Sequence, residues 1–191
     1  MKQLLAALAC ALAASASQAA YVAEAEPNNG FFNAQTLNGA FTLDADPDIT
    51  DATTWSHASV RGNGNADNGE SRDFYHFSTG GGQVLFDIDY GMNDLDSWLN
   101  LYDSTGTLIS SHDDGGVLDS GSSHGWDSYW LVNLAAGDYV VSVGSFPDAN
   151  LFQGQDYVLH ISRENGVPEP GALALAAIAL AGLGLRRRKA A

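Results

Sequence analysis

Cysteine and basic residues are both scarce in this 191-residue chain, and each shortage narrows what the protein can be. The single cysteine, Cys10, lies near the start, so the rest of the chain cannot form an internal disulfide. Residues 20–166 contain 22 aspartates and glutamates but only three arginines, which gives this part a net charge of −19. Such a surface repels nucleic acid and anionic lipid and attracts cations. We therefore expect no nucleic-acid partner, and bound metal is one candidate for added stability.

The middle of the chain also lacks a long apolar run, and the two such runs lie at its ends. The first, in residues 1–19, follows one lysine and ends in Ser17-Gln18-Ala19, whose small residues suit signal peptidase. This pattern predicts a signal peptide over residues 1–19 that signal peptidase removes after Ala19. Export of the remaining chain follows from that prediction.

Sustained helical periodicity is missing between residues 20 and 166. Short apolar and aromatic runs show period-two alternation there, and clusters of Gly, Asn, Asp and Ser separate them. This pattern predicts an all-β domain over residues 20–166, an antiparallel β-sandwich or jelly roll. The predicted strands lie near residues 40–44, 55–60, 72–78, 83–90, 97–103, 107–112, 127–134, 138–145 and 155–162.

The stretch QVLFDIDY, residues 83–90, shows the alternation clearly. A strand directs successive side chains to opposite faces of its sheet. The side chains predicted to face the core are Val84, Phe86, Ile88 and Tyr90, and those predicted to face away are Leu85, Asp87 and Asp89.

Few residues of the chain suggest catalysis. There is no HExxH metalloprotease motif, and the one cysteine leaves with the signal peptide. The stretch GSSHG, residues 121–125, sets a serine beside a histidine, but sequence neighbours rarely reach the geometry of a nucleophile and its base. We expect a non-catalytic protein, and a hydrolase with an unrecognised site is kept as an alternative.

Paired carboxylates indicate a functional site more strongly than the serine and histidine residues do. They lie at the ends of neighbouring predicted strands, which a hairpin would bring close together: Asp94, Asp96, Asp113 and Asp114. Crowded carboxylates repel one another unless a cation lies among them, and Ca²⁺ with its oxygen ligands is suited to that place. A solvated acidic rim is the alternative explanation.

A second acidic stretch, DADPDITD at residues 44–51, resembles the start of an EF-hand loop. Its fourth and sixth positions are Pro47 and Ile49, and Trp55 stands where the twelfth-position glutamate belongs. An EF-hand needs glycine at the sixth position and a bidentate glutamate at the twelfth. The stretch is therefore not an EF-hand.

Four segments in the same order resemble the bacterial pre-peptidase C-terminal domain. They are EAEPNNGFFNAQTL, RDFYHFST, DSWLNLYDSTGTLISSHDD and LAAGDYVVSVGSF, within residues 24–162. The resemblance implies a calcium-associated β-sandwich that serves as an accessory or binding module of exported proteins. In the collagen-binding relatives, an acidic segment before the first strand and an aspartate ahead of a later strand bind calcium. The matching positions here are Glu24, Glu26, Asn28 and Asp73.

The last 25 residues, VPEPGALALAAIALAGLGLRRRKAA, are similar to the PEP-CTERM sorting signal of Gram-negative bacteria. The apolar run Gly171–Leu185 has 15 residues, about 22 Å as a helix, which is shorter than the hydrocarbon core of about 30 Å. We expect transient insertion of this helix into the inner membrane, with the basic end in the cytoplasm. The resemblance implies processing by exosortase, and the residues of the signal are Pro168, Glu169, Pro170, Arg186, Arg187 and Arg188.

Together these features predict a signal peptide (1–19), a β-sandwich (20–166) and a sorting segment (167–191). The expected function is that of an exported, non-catalytic protein of the envelope, outer surface or extracellular matrix of a Gram-negative bacterium, stabilised by Ca²⁺. The alternative is an adhesion module that binds exopolysaccharide or a matrix protein through exposed aromatic residues.

Overall fold

The computed structural model describes residues 20–64, 70–116 and 118–165. The predicted signal peptide and the sorting segment, with the six sorting residues from Pro168 to Arg188, lie outside these ranges. Within them, no helix has the length and hydropathy that a membrane crossing requires.

Over the described residues, the chain forms twelve strands and two short 3-10 helices, Phe31–Asn33 and Asn38–Ala40. The strands are β1 (Val22–Ala23), β2 (Gln35–Thr36), β3 (Ser56–Asn63), β4 (Glu70–Ser71), β5 (Asp73–Thr79), β6 (Gly82–Asp89), β7 (Ser97–Asp103), β8 (Leu108–His112), β9 (Tyr129–Leu134), β10 (Gly137–Ser145), β11 (Leu151–Phe152) and β12 (Asp156–Arg163).

These strands form two five-stranded sheets. The first has the order β1-β3-β12-β6-β9 and the second the order β2-β5-β10-β7-β8, while β4 and β11 pair separately. The long strands pair antiparallel, whereas β1 lies parallel to β3 and β2 lies parallel to β5. The two N-terminal strands thus attach one to each sheet, and the segment between them bridges the sandwich.

The core lies between the two sheets, where alternate side chains of facing strands interdigitate. Val60, Phe86 and Leu159 enter it from the first sheet, and Tyr75 and Val141 enter it from the second. All five are almost completely buried. The all-β sandwich expected from the alternation is therefore confirmed.

Two local expectations differ from the structure. Residues 40–44 form no strand, and Thr42 makes only an isolated bridge to His57. Tyr90 does not face the core, because β6 ends at Asp89 and Tyr90 takes a left-handed backbone with φ of 55°. Its side chain is 43% exposed.

The outer face of β6 is also buried, which the alternation does not indicate. Leu85 packs there with Ile49 and Ala52 in a small second core. The segment that contains Ile49 and Ala52 precedes β3 and lies over the first sheet. Asp87 and Asp89 are consequently buried, although they face away from the main core.

Candidate metal centres

Four of the predicted ligand residues meet where the N-terminal segment crosses the sandwich. Glu24 follows β1, Glu26 and Asn28 lie in the next turn, and Asp73 begins β5. Carboxylate oxygens of Glu24, Glu26 and Asp73 lie within 4.8 Å of one another. We call these four residues the N-terminal acidic cluster.

Glu24 holds this cluster together by accepting four hydrogen bonds. One oxygen accepts from the Tyr75 hydroxyl at 3.0 Å and from the Asn28 side chain at 3.1 Å. The other accepts from the backbone and side-chain amides of Asn63, at 3.0 and 3.1 Å. These contacts fix the carboxylate between β3 and β5.

Asp73 is fully buried beside Glu24, and its charge is costly there. It accepts hydrogen bonds from the Tyr157 hydroxyl at 2.7 Å and the Ser71 hydroxyl at 3.1 Å. Burial, and next the charge of Glu24, raise the pKa of Asp73 to about 8. A cation between the two carboxylates would relieve both effects.

Asn28 supplies the observation that points to a ligand. Its side chain is fully buried, and its Oδ1 atom has no hydrogen-bond partner among the residues that the structure describes. A buried amide oxygen without a donor is rare, and it fits an oxygen-ligated cation such as Ca²⁺. The residues present therefore suit Ca²⁺, the group that the sequence resemblance implies.

Arg72, next to Asp73 in sequence, is engaged elsewhere. Its guanidinium donates to the carboxylate of Asp148 at 2.7 Å and to the carbonyl of Ala149 at 2.9 Å. These contacts orient the arginine toward the loop after β10.

The second predicted group of carboxylates does not close into a site among the described residues. Asp94 and Asp114 are exposed, and Asp94 lies in a left-handed turn with φ of 54°. Burial, and next the charges of Asp114 and Asp113, raise the pKa of Asp96. This effect indicates that Asp96 lies near the other two aspartates. The four residues are not among the groups whose ligand atoms converge within 4.8 Å. Metal binding by Asp94, Asp96, Asp113 and Asp114 stays a prediction.

A cluster that the sequence did not indicate lies on the outer face of the first sheet. It combines two overlapping groups of converging ligand atoms, one with Asp48, Asp89 and His160 and one with Asp87, Asp89 and Asp119. We call these five residues the sheet-face cluster. The available signal was the pair of aspartates in an otherwise apolar strand, together with the rejected acidic stretch at residues 44–51.

Burial makes the carboxylates of this cluster hard to ionise. Burial, and next the charge of Asp89, raise the pKa of Asp87 to about 10. Burial also raises the pKa of Asp89, to about 6, against the opposing effect of His160. Without a cation among them, these carboxyl groups therefore favour the protonated form.

The stretch GSSHG has the G-x-S-x-G spacing of a hydrolase nucleophile elbow, but it does not adopt the structure of such an elbow. Such an elbow joins a strand to a helix, whereas residues 121–125 lie in the irregular loop between β8 and β9. Neither ring nitrogen of His124 makes a hydrogen bond, and Nδ1 lies 3.4 Å from Asp127. The serine at the centre of this spacing is Ser123, whose backbone N–H donates to Asp127 at 2.6 Å, and the Ser122 hydroxyl donates to Asp119. Serine and histidine are not paired here.

Comparison with known proteins adds one firm assignment. Residues 166–189 match the PEP-CTERM protein-sorting motif, which confirms the predicted sorting tail. The motif implies an exported protein of the cell envelope and processing by an exosortase-type enzyme.

Two solved structures are similar to parts of the chain. The pre-peptidase C-terminal domain of collagenase from Bacillus anthracis is 11% identical, with a TM-score of 0.37, over 56% of this chain and 87% of that chain. The Aeromonas hydrophila protein PliG, a periplasmic lysozyme inhibitor of g-type lysozyme, is 18% identical, with a TM-score of 0.37, over 60% of this chain and 91% of that chain. No curated protein matches the chain. These likenesses carry no argument about function.

Proposed function

We propose that this protein is a non-catalytic component of the cell surface or extracellular matrix of a Gram-negative bacterium, and that Ca²⁺ stabilises its sandwich. The sorting motif at residues 166–189 supports delivery to the envelope. The N-terminal acidic cluster, with the unpartnered buried oxygen of Asn28, carries the calcium part of the proposal.

Calcium in this cluster would act as a structural brace. It takes about six to eight oxygen ligands and tolerates irregular geometry, which suits carboxylates and an amide on a turn. Bound there, the ion would offset the repulsion between Glu24 and Asp73. It would also tie the N-terminal segment to β5.

Thermal unfolding of the full chain tests the calcium part. A ligand that binds only the folded state adds about 2.7 kcal/mol of stability at one hundred times its Kd, so Ca²⁺ should raise the Tm. Mg²⁺ should raise it less, because it is smaller and demands octahedral geometry. A rise no larger than that given by NaCl of equal ionic strength would contradict the proposal.

The variant Asp73→Asn tests whether Asp73 binds Ca²⁺ or is only a buried carboxyl group. In EDTA the variant should be at least as stable as the natural chain, because it removes a buried carboxylate that Glu24 repels. In Ca²⁺ it should lose most of the rise in Tm. Asp156→Asn, at an exposed position outside every predicted group of ligands, is the matched control and should respond to Ca²⁺ as the natural chain does.

The matrix role is tested by binding and release. We expect the protein to bind matrix material from the producing bacterium in Ca²⁺ and to be released by EDTA, since direct contact between anionic surfaces is unfavourable. No new reducing ends or peptide fragments should appear. Cleavage that one aspartate or histidine substitution abolishes would favour the hydrolase alternative.

A cleft beside the N-terminal segment favours an adhesion module as a second candidate. The cleft of about 590 Å³ is lined by Phe31, Phe32, Thr36, His76 and Asp138 among others. Phe32 is 99% exposed there, and an exposed ring next to polar groups suits a sugar face. A glycan array with Phe32→Ala, and with Phe152→Ala as an aromatic control elsewhere, tests this candidate.

A further inference from the structure

The sheet-face cluster is built by three neighbouring strands and two covering loops. Ser59 on β3, His160 on β12 and Asp87 on β6 lie side by side in the strand register. The tight backbone at Gly121, with φ of 102°, closes over Asp89, and a Cβ on this glycine would lie 2.4 Å from the Asp89 carboxyl carbon. The chain therefore encloses Asp89 and leaves no room for a side chain above it.

Asp89 is buried without any hydrogen-bond donor. Its side chain is completely inaccessible, and within the described ranges of the chain neither carboxylate oxygen accepts a hydrogen bond. One oxygen lies 3.1 Å from Nε2 of His160, but the pair lacks the alignment of a hydrogen bond. A buried carboxylate in this position needs either a proton or a cation.

The contacts of the Nδ1 atom of His160 bear on whether its Nε2 atom carries a proton or a lone pair. The Ser59 hydroxyl donates to the Asp46 carboxylate at 3.1 Å and lies 2.7 Å from Nδ1 of His160. The single hydroxyl proton goes to Asp46, so the histidine must supply the proton for its own contact with Ser59. A neutral ring protonated on Nδ1 carries its lone pair on Nε2.

In that neutral form the lone pair of His160 would face the oxygen of Asp89 across 3.1 Å, whereas a doubly protonated ring would form an ion pair with it. Two acceptors in contact repel, and a metal ion coordinated by both removes the repulsion. A histidine that ligates a metal commonly donates its other N–H to an outer hydrogen-bonded group, as His160 does through Ser59 to Asp46. Asp48 extends the arrangement, and its Oδ2 is held by the hydroxyls of Tyr21 at 2.9 Å and Tyr90 at 3.0 Å.

We propose that Asp48, Asp89 and His160 bind a divalent transition-metal ion such as Zn²⁺ or Mn²⁺, at a site separate from the N-terminal acidic cluster. An imidazole nitrogen beside carboxylates favours first-row transition metals over Ca²⁺, which prefers oxygen ligands alone. Asp87 and Asp119 form the all-oxygen side of the same cluster. This site would link β6 and β12 to the acidic segment before β3.

Metal uptake by the full chain in saturating Ca²⁺ tests this site. Excess calcium keeps all-oxygen sites occupied, so the result does not depend on whether the N-terminal acidic cluster binds Ca²⁺. After EDTA treatment and addition of Zn²⁺, elemental analysis of gel-filtered protein should find one zinc per chain. The imidazole NMR signals of His160 should show Nδ1 protonated and Nε2 shifted on zinc binding.

Substitutions locate the ion. His160→Gln and Asp89→Asn should each weaken zinc binding at least about tenfold, and Ser59→Ala should weaken it by about tenfold through loss of the outer hydrogen bond. His57→Gln is the control, because His57 is buried on the same face of β3 but belongs to neither group of converging ligands. It should change zinc affinity less than about threefold.

Several outcomes would overturn the proposal. They are the absence of zinc uptake, uptake that His160→Gln leaves unchanged, and equal loss with His57→Gln. An Nε2–H signal that persists in zinc would instead show a histidine–carboxylate ion pair. If His160→Gln does not fold, as judged by near-UV circular dichroism, Asp48→Asn and Ser59→Ala carry the same test.

Discussion

Among single residues, Gly62 on β3 leaves the space that the ring of Tyr157 on β12 occupies. A Cβ at this position would lie 2.2 Å from the ring of Tyr157, whose hydroxyl donates to Asp73. We expect Gly62→Ala to displace the ring and to lower the free energy of unfolding by about 1–3 kcal/mol. It should also reduce the stabilisation by Ca²⁺.

Urea unfolding with and without Ca²⁺ measures both effects. Gly39→Ala is the control, because no atom lies within 4 Å of its added Cβ, and it should change stability by less than about 0.5 kcal/mol. Equal stability of the two variants would show that Tyr157 can move without cost.

His57 should make the protein sensitive to mild acid. Its ring is buried, and burial lowers its pKa. Below the ordinary histidine pKa of about 6.5, the unfolded chain therefore binds a proton that the folded chain refuses. Stability contributed by neutral His57 is present above this pH and is lost as the pH falls through it.

Urea unfolding at about pH 7.5 and about pH 5.5 tests this linkage. The natural chain should lose more stability between the two pH values than His57→Gln does. His76→Gln, at a side chain 33% exposed, is the control and should show the loss of the natural chain. The same pH dependence in all three proteins would rule out His57 as the cause.

Among the elements, the N-terminal segment is the one most dependent on a ligand. Strands β1 and β2 have two residues each, and Gln35 links them by accepting from the backbone of Ala25 at 2.9 Å and donating to the carbonyl of Ala23 at 3.0 Å. Few backbone hydrogen bonds hold this segment, so it should open locally at low free energy. Calcium in the N-terminal acidic cluster should close it.

Hydrogen exchange measures this directly. Amides of residues 22–36 should exchange at least about tenfold more slowly in Ca²⁺ than in EDTA, which corresponds to about 1.4 kcal/mol. Edge strand β8 lies in the other part of the second sheet and should not change. Asp73→Asn should abolish the difference, and an effect that survives in this variant would place the calcium elsewhere.

The long strands could be predicted from the sequence because an alternation over seven or more residues stays recognisable when single residues depart from it. Strand β7 matches its predicted range, and β10 differs from its range by one residue at the start. Two-residue strands such as β1 and β2 carry no periodicity, and their parallel pairing depends on the rest of the sandwich. They could not be predicted.

The two clusters also differ in how far the sequence predicts them. Glu24, Glu26 and Asn28 lie within five residues, and the family resemblance adds Asp73, so this cluster could be predicted. The sheet-face cluster combines Asp48, Asp89 and His160, which only the strand register and the covering loops bring together. Alternation alone predicts that Asp89 faces away from the core, and it does not indicate that a loop covers that face.

At the scale of the whole molecule, the predicted signal peptide and the sorting tail together predict one proteolytic event near each end of the chain. Mature protein from the producing bacterium should begin near Ala20 and should lack the residues beyond Pro170. Intact-mass analysis should find this form as the main product. The double variant Pro168→Ala, Pro170→Ala should retain the tail, because an extended proline segment no longer marks the processing site.

A stable membrane-bound product that keeps residues 186–191 in the natural chain would contradict this prediction. Such a product would show that the apolar run serves as a permanent anchor. The single variant Glu164→Gln is the control, because Glu164 precedes the matched motif, and it should leave processing unchanged.

The position of β12 also determines how the protein bears mechanical load. This last described strand leads toward the sorting tail and pairs antiparallel with β3 on one side and with β6 on the other. Antiparallel hydrogen bonds lie perpendicular to the strands, so tension applied through the tail shears two ladders at once and does not peel open one edge. A pull along β12 would therefore load its ladders with β3 and β6 at the same time.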